Sequence, residues 1–195
     1  MSPNVVIAKR IADSLNCVLS KESLVMFADI LVQEKYKKGE RILDEGDVCK
    51  SLYFVDKGMT RQFYYKYGKD LTEHIAYEDS IVVCLESYFF EKPTSLMIET
   101  LEATVLWRID KTEILKLVDI NKEIGTLYRS VFEYSLITSQ RKADVIRFEP
   151  AQERYNKLMQ AHPEVLKRAP LIYIASLLQM TPETLSRVRS AVLNS

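Results

Sequence analysis

Apolar residues change their spacing twice along this chain, and the changes divide it into three parts. Over residues 4–34 they recur at steps of three and four, which is typical of amphipathic helices. Residues 35–110 are rich in aromatic and β-branched side chains punctuated by glycine, which predicts short strands. After Asp110 the helical spacing returns. The pattern predicts an α+β protein in which an antiparallel sheet closes into a jelly roll between two helical parts.

Local signals refine these boundaries. The segment "KYGKD", residues 66–70, is a turn signal between two strands. Ser20 with Ser23 offers capping groups for a helix near the N-terminus. Asp110, followed three residues later by Glu113, is a capping-box variant that predicts the start of a helix.

A seam of alternating steps of four and three runs through a stretch that has no proline between Thr94 and Glu149. Its positions are Ile120, Ile124, Leu127, Val131, Tyr134, Thr138, Arg141, Val145 and Phe148. Such a seam predicts a long helix over residues 120–149 that pairs with a second copy of the chain. The first five positions are the predicted dimer contacts. The alternative is a single amphipathic helix packed on its own domain.

The last part of the chain carries a helix-turn-helix pattern. Pro150 marks a boundary, and "APLIYIASLLQ" and "TPETLSRVRSAVL" each have helical spacing. Thr181 is a favourable N-cap and Pro182 suits the first helical position. Only two residues separate Leu178 from that cap, so the two helices form a tight pair.

The final helix has one apolar and one polar face. Leu185, Val188 and Val192 form the apolar face, whereas Glu183 and Arg187 lie on the polar one. In a DNA-binding helix-turn-helix, the N-terminal part of the second helix enters the major groove.

Each polar residue of this helix has a predicted contact. An arginine can donate two bonds to guanine and a glutamate can accept from cytosine, so Arg187 and Glu183 are the predicted base-reading residues. Phosphate contacts are predicted for Thr184, Ser186 and Arg189, with Thr181 at the start of the helix. The alternative is an ordinary surface helix with solvated charges.

Composition and charge fit this interpretation and exclude other classes. The chain is 47% apolar and 28% charged, which is ordinary for a globular protein. It has no apolar run long enough for a membrane span and no signal-peptide core, so we expect a cytoplasmic protein without a membrane partner. From residue 141 onward there are nine Lys/Arg and five Asp/Glu, which makes this tail a candidate for an anionic partner.

No residue pattern indicates catalysis or a metal. Cys17, Cys49 and Cys84 are scattered and odd in number, which predicts reduced, mostly buried thiols. The two histidines, His74 and His162, lack ligand spacing. The sequence has no nucleophile–base pair and no glycine-rich phosphate loop, so we expect neither an enzyme nor a resident cofactor.

The order of sheet roll, long helix and helix-turn-helix resembles the bacterial Crp/Fnr family of transcription regulators. The closest motifs are "KKGERILDEGD" with "SLYFVDKGMTRQFYY", and "IASLLQMTPETLSRVR". The resemblance implies a cyclic-nucleotide-binding-like roll over residues 1–119, a dimerisation helix over 120–149 and a DNA-binding domain over 150–195. It implies a homodimer on a palindromic operator. RNA polymerase is a further partner of such regulators, although no residue here marks a surface for it.

The chain departs from the family pattern in three places. Gln179 stands where the turn usually has glycine, Pro182 replaces a frequent arginine, and no wing strands follow the recognition helix before Ser195. These departures keep open a second interpretation, in which the protein is a ligand-sensing or interaction module that no longer binds DNA.

The roll also departs from the cyclic-AMP-binding pattern of the family. Val83 and Cys84 fall at the positions of its Gly-Glu pair, and Thr94 and Ser95 at those of its Arg-Ser pair. Without that carboxylate and guanidinium, we expect no cyclic-nucleotide binding of the usual kind. An unidentified small effector remains as the alternative to no ligand. Glu86, Thr94 and Ser95 are the polar residues predicted for its pocket.

Overall fold

The computed structural model describes residues 2–193, and two short helices open the chain. They are α1 (Pro3–Ser14) and α2 (Lys21–Asp29). The hydroxyl of Ser2 caps the first helix and that of Ser20 caps the second, by accepting a backbone N–H from each. The predicted helical region ends too late, because a strand begins at Leu31, whose side chain is buried in the core of the roll.

Two four-stranded antiparallel sheets form the roll within the described residues. The strands are β1 (Leu31–Tyr36), β2 (Arg41–Leu43), β3 (Ser51–Lys57), β4 (Met59–Lys66), β5 (Lys69–Tyr77), β6 (Ile81–Val82), β7 (Met97–Thr100) and β8 (Thr104–Asp110). One sheet has the order β1-β8-β3-β6, and the other has the order β2-β7-β4-β5. The predicted antiparallel jelly roll is confirmed.

Side chains fill the space between the two sheets. Phe54, Ile98 and Leu106 have no exposed surface. The β4–β5 hairpin turns at Tyr67 and Gly68, with φ values of 53° and 72°, where the sequence predicts a turn. The hairpin places Arg61 of β4 opposite Ile75 of β5, on the face of the sheet that meets the C-terminal helices.

Two further helices connect the roll to the long helix. They are α3 (Leu85–Phe90) and α4 (Lys111–Ile120). The start of α4 is as predicted, but the predicted cap is wrong. The Asp110 carboxylate accepts hydrogen bonds from the Ser51 hydroxyl, at 2.9 Å, and from Arg108, and it makes no side-chain bond to the helix end.

The long helix α5 spans Lys122–Phe148, close to the predicted range. It begins after Asn121, whose side-chain oxygen accepts from the N–H groups of Glu123 and Ile124 at 3.0 and 3.1 Å. Ile120 therefore belongs to the preceding helix, and its side chain is exposed.

The predicted dimer seam requires correction in its first half. Ile124, Leu127 and Val131 are at most 4% exposed and belong to the core of their own domain. They are not free to contact a second copy, because the same apolar face already packs beneath the roll. Tyr134 is exposed. The alternative of a helix packed on its own domain thus describes the N-terminal half of α5.

Four helices follow the long one: α6 (Ala151–Ala161), α7 (Pro163–Arg168), α8 (Leu171–Leu177) and α9 (Pro182–Leu193). The single helix predicted after Pro150 is broken at His162, because Pro163 starts a new helix. None of the helices within residues 2–193 has both the length and the apolar character that crossing a bilayer requires.

Candidate nucleic-acid interface

The helix-turn-helix predicted from the sequence is formed by α8 and α9. Its turn is held by two backbone bonds, from the N–H of Gln179 to the Ser176 carbonyl at 3.0 Å and from the N–H of Met180 to the Ala175 carbonyl at 2.9 Å. Gln179 takes the left-handed conformation, with φ of 51°, at the position where the family has glycine. The turn therefore forms with glutamine in a backbone conformation that is mildly strained for any side chain.

The apolar face of α9 is buried as predicted. Leu185 is 1% exposed and packs in a cluster with Ile174 and Leu178 of the preceding helix. Val188 and Val192 are partly buried against the same cluster. This packing fixes which face of α9 points outward.

The six predicted DNA-contacting residues lie at or near the outward face. Thr181, Glu183, Ser186 and Arg187 are exposed, and Thr184 and Arg189 are half-buried. The Thr181 hydroxyl accepts from the N–H of Thr184 at 3.2 Å, so the predicted N-cap is confirmed. A guanidinium N–H of Arg187 donates to the Thr184 hydroxyl at 3.4 Å.

The first turn of α9 holds Glu183 as a carboxylate. Its own N–H and the Thr181 hydroxyl donate to the carboxylate, and Arg187 lies one turn further on, so the pKa of Glu183 falls below its ordinary value. The N-terminal end of α9 therefore presents an anionic acceptor and a cationic donor side by side.

Helix α8 is docked on the roll through a stacked arginine. The guanidinium of Arg61, in β4, lies 3.6 Å from the ring centroid of Tyr173 and 3.8 Å from that of Phe63. Only 2% of the Arg61 side chain is exposed. Tyr173 therefore covers a cation that belongs to the other domain, and this contact ties the helix-turn-helix to the second sheet.

The charge of Arg61 is satisfied within the roll. Two of its nitrogens bond to the Asp70 carboxylate at 2.7 Å each, and its Nε bonds to Glu99 at 2.5 Å. Burial alone lowers the pKa of Arg61, but the bonds to Asp70 and Glu99 outweigh it and raise that pKa. Removal of either carboxylate would leave a buried charge incompletely paired.

Two more contacts join the same domains. Ser176 on α8 accepts the backbone N–H of Thr72 in β5 at 2.8 Å. Arg168 on α7 bonds to Glu78 at 2.7 and 3.0 Å and also to Glu102. Burial raises the pKa of Glu78, but bonds from Arg168 and from a backbone N–H lower it to about 2.

These interdomain residues do not appear in the sequence prediction. The sole signal for Arg61 is a cation in the buried part of a strand, between apolar neighbours, and nothing near it in sequence points to Tyr173. The pairing depends on how the two domains pack, which local periodicity does not contain.

The predicted effector residues do not converge on a cavity in the described structure. Glu86 and Ser95 are exposed, whereas the Thr94 hydroxyl accepts from the N–H of Leu96 at 2.9 Å and shapes the loop. A cavity of about 10 Å³ lies beside the long helix, and it is lined by apolar side chains such as Phe27 and Leu127. That volume is about enough for one water molecule.

The outer side of α5 carries an apolar groove. Its lining includes Tyr128, Phe132 and Leu136, and its volume is about 380 Å³. Phe89, from α3, packs against Phe132 with ring centroids 4.7 Å apart. We call Phe89, Phe132 and Leu136 the aromatic patch. Phe89 is 50% exposed and Leu136 is 68% exposed, so a large apolar surface faces outward here.

No group of three or more metal-ligating side chains occurs among residues 2–193. The functional features that the described chain brings together are therefore the outward face of α9, the interdomain contact and the aromatic patch.

The comparisons with known proteins agree with this architecture. The family of cyclic nucleotide-binding domains matches residues 33–121, from β1 to the end of α4. FixK2 from Bradyrhizobium japonicum superposes with a TM-score of 0.72 at 17% identity, over 85% of both chains. No curated protein sequence matches this chain significantly.

Two further solved structures show the same likeness. The catabolite activator protein of Thermus thermophilus has a TM-score of 0.58 and 21% identity, over 93% of this chain and 87% of that one. A transcriptional regulator of the Crp/Fnr family from Eubacterium rectale has a TM-score of 0.66 and 16% identity, over 90% of this chain and 85% of that one. The protein thus contains a domain of the cyclic nucleotide-binding family at residues 33–121 and has the fold of the Crp/Fnr transcriptional regulators.

Proposed function

We propose that this protein is a transcription regulator of the Crp/Fnr type, which binds DNA sequence-specifically as a homodimer in the cytoplasm. The observation that carries the proposal is the outward face of α9. There Glu183 and Arg187 stand exposed, one turn apart, on a helix whose opposite face is buried. A capped helix with this arrangement fits the major groove.

The residues of α9 divide into two roles. Arg187 reads guanine through two donors, and Glu183 accepts from cytosine. Thr184, Ser186 and Arg189, with Thr181 at the helix start, contact phosphates and set the register on the duplex.

Binding to any duplex DNA is the first test of this proposal. Phosphate contacts release counterions, so we expect affinity to fall steeply as salt rises. Fluorescence anisotropy with a labelled random-sequence duplex, over a series of salt concentrations, measures this slope. No affinity at the lowest salt would overturn the proposal and favour the alternative, an interaction module that no longer binds DNA.

We propose that the aromatic patch, rather than the buried seam, joins two copies of the chain. Phe132 and Leu136 lie on the outer side of α5, and Phe89 extends the surface. Pairing through this surface makes a two-fold protein, whose recognition helices would meet a palindromic operator about 34 Å apart. RNA polymerase is a further partner of a regulator of this type.

Sedimentation tests the dimer. We expect Leu136→Asp to give a monomer whose thermal unfolding is close to that of the wild-type protomer, because Leu136 is 68% exposed. Val18→Asp is the matched control, since Val18 is 92% exposed and lies before α2. A Leu136→Asp protein that sediments like the wild type would contradict this surface.

For the roll, we propose an effector other than a cyclic nucleotide of the usual kind, or none. The carbonyl of Val83 and the sulfur of Cys84 are both bonded to the amide nitrogen of Gln62, at 2.9 and 3.7 Å. Glu86, Thr94 and Ser95 stay as the predicted polar contacts of an effector. Titration with cyclic AMP should leave the melting temperature unchanged, and a saturable rise in it would refute this part.

A further inference from the structure

Two cysteines that are far apart in sequence meet in the core of the roll. Cys49 precedes β3 and Cys84 precedes α3, and they are 1% and 2% exposed. The thiol and the backbone N–H of Cys84 both donate to the sulfur of Cys49. The sequence alone predicts isolated thiols here, because no short motif links the two positions.

Neighbouring bonds hold both cysteines in place. The backbone N–H of Cys49 donates to the Ser87 hydroxyl at 2.9 Å, and Ser87 lies in the first turn of the helix that Cys84 precedes. The Cys84 thiol donates to the carbonyl of Leu96 at 3.4 Å and its sulfur accepts from Gln62. The two sulfurs therefore face each other across a fixed framework rather than by rotation of free side chains.

The surroundings give the two thiols different reactivity. Bonds to the Cys49 sulfur from Cys84 lower the pKa of Cys49 to about 7, despite its burial. The bond to Cys49 and burial raise the pKa of Cys84. Cys49 is therefore the thiol that ionises, and Cys84 is the thiol that keeps its proton.

We propose that Cys49 and Cys84 form a peroxide-responsive dithiol, a modification site that closes to an intramolecular disulfide. The Cys49 thiolate attacks one oxygen of hydrogen peroxide, the O–O bond breaks, and the departing hydroxide takes up a proton to leave as water. The resulting sulfenic acid is attacked by the Cys84 sulfur, and the hydroxyl group leaves as water with the Cys84 proton. Two thiols and one peroxide give one disulfide and two waters.

Burial sets which oxidant can act. A diatomic-sized peroxide enters through small local openings, whereas a bulky disulfide reagent needs an exposed sulfur for exchange. We therefore expect oxidation by hydrogen peroxide to be slower than that of a free thiol and oxidation by oxidised glutathione to be slower still.

The third cysteine provides the internal control. Cys17 is half-buried and lies 3.4 Å from the Ser130 hydroxyl, away from the pair. In the full-length protein, maleimide labelling after denaturation counts the thiols that remain. We expect three labelled thiols in the reduced protein and one, on Cys17, after peroxide, with a linked peptide that contains Cys49 and Cys84.

Variants test the order of the steps. Cys84→Ser should stop the reaction at the sulfenic acid of Cys49, which dimedone traps, and Cys49→Ser should leave Cys84 untouched. Cys17→Ser should form the disulfide as the wild type does. Three labelled thiols in peroxide-treated wild type, or a disulfide through Cys17, would overturn the proposal. Dimedone on Cys84 in Cys49→Ser would overturn the assignment of Cys49 as nucleophile.

These readouts are masses, so they are independent of DNA binding and of the dimer. A failure here leaves the proposed function standing, and a protein without DNA affinity would still show the disulfide.

Discussion

The ring of Tyr173 covers the guanidinium of Arg61 at 3.6 Å and thereby joins the first helix of the helix-turn-helix to a strand of the roll. Arg61 is fixed in turn by Asp70 and Glu99 of the same sheet. The position of α8, and with it the direction in which α9 faces, is therefore set by the second sheet. A change in that sheet has a direct physical route to the DNA-binding helix.

Loss of the Tyr173 ring is expected to loosen this joint. Tyr173→Ala removes a partly desolvated cation–π contact, which stabilises by about 0.5–2 kcal/mol. We expect a lower free energy of unfolding in denaturant titration and faster proteolysis near Pro150, where the C-terminal helices begin. Tyr173→Phe keeps the stacked ring and serves as the control. Equal loss in both variants would show that the hydroxyl, not the stack, matters.

The ion pair between Arg168 and Glu78 is expected to weaken in acid. Glu78 has a folded-state pKa of about 2 against an ordinary value of 4.5, so its contribution is fully present above 4.5. That contribution is lost as the pH falls from 4.5 towards 2, because the unfolded chain then binds the proton more readily. Glu78→Gln should be less stable than wild type at neutral pH, and the difference should shrink across this window.

Urea unfolding at a series of pH values measures that difference. Glu45→Gln is the control, because Glu45 is exposed and lies in the turn after β2. A gap between Glu78→Gln and wild type that stays constant down to the lowest pH would contradict the interdomain role of this carboxylate.

The turn of the helix-turn-helix is expected to tolerate the family's glycine. Gln179 is exposed and its φ is 51°, a conformation that costs a non-glycine residue about 1–2 kcal/mol. Glycine relieves that strain but loses more freedom on folding, so we expect Gln179→Gly to raise the free energy of unfolding by about 0.5–1 kcal/mol. Gln33→Gly, within β1, should lower it. A destabilised Gln179→Gly protein would mean that the glutamine side chain contributes contacts.

Local periodicity predicts the roll, the long helix and the helix-turn-helix because each depends on residues near in sequence. The buried face of α9 follows from steps of three and four, and the structure buries Leu185 where that spacing requires. The cap at Thr181 follows from one hydroxyl and one N–H. These are short-range features, and the sequence contains them in full.

Partner choice is what the sequence does not determine. The same seam of Ile124, Leu127 and Val131 suits a second helix or a roll, and the roll is covalently attached and therefore always present. Asp110 likewise is suited to capping, yet Arg108 and Ser51 reach it across the sheet. The pairing of Tyr173 with Arg61 depends on the packing of whole domains.

The most direct test of the central claim is selection of binding sites from random-sequence DNA by the wild type, by Arg187→Ala and by Lys116→Ala, an exposed lysine on α4. We expect the wild type and Lys116→Ala to enrich the same palindrome. Arg187→Ala should lose preference at one symmetric pair of positions, by about 1–3 kcal/mol per half-site. An unchanged consensus for Arg187→Ala, or no enrichment by the wild type at low salt, would contradict the claim that α9 reads DNA.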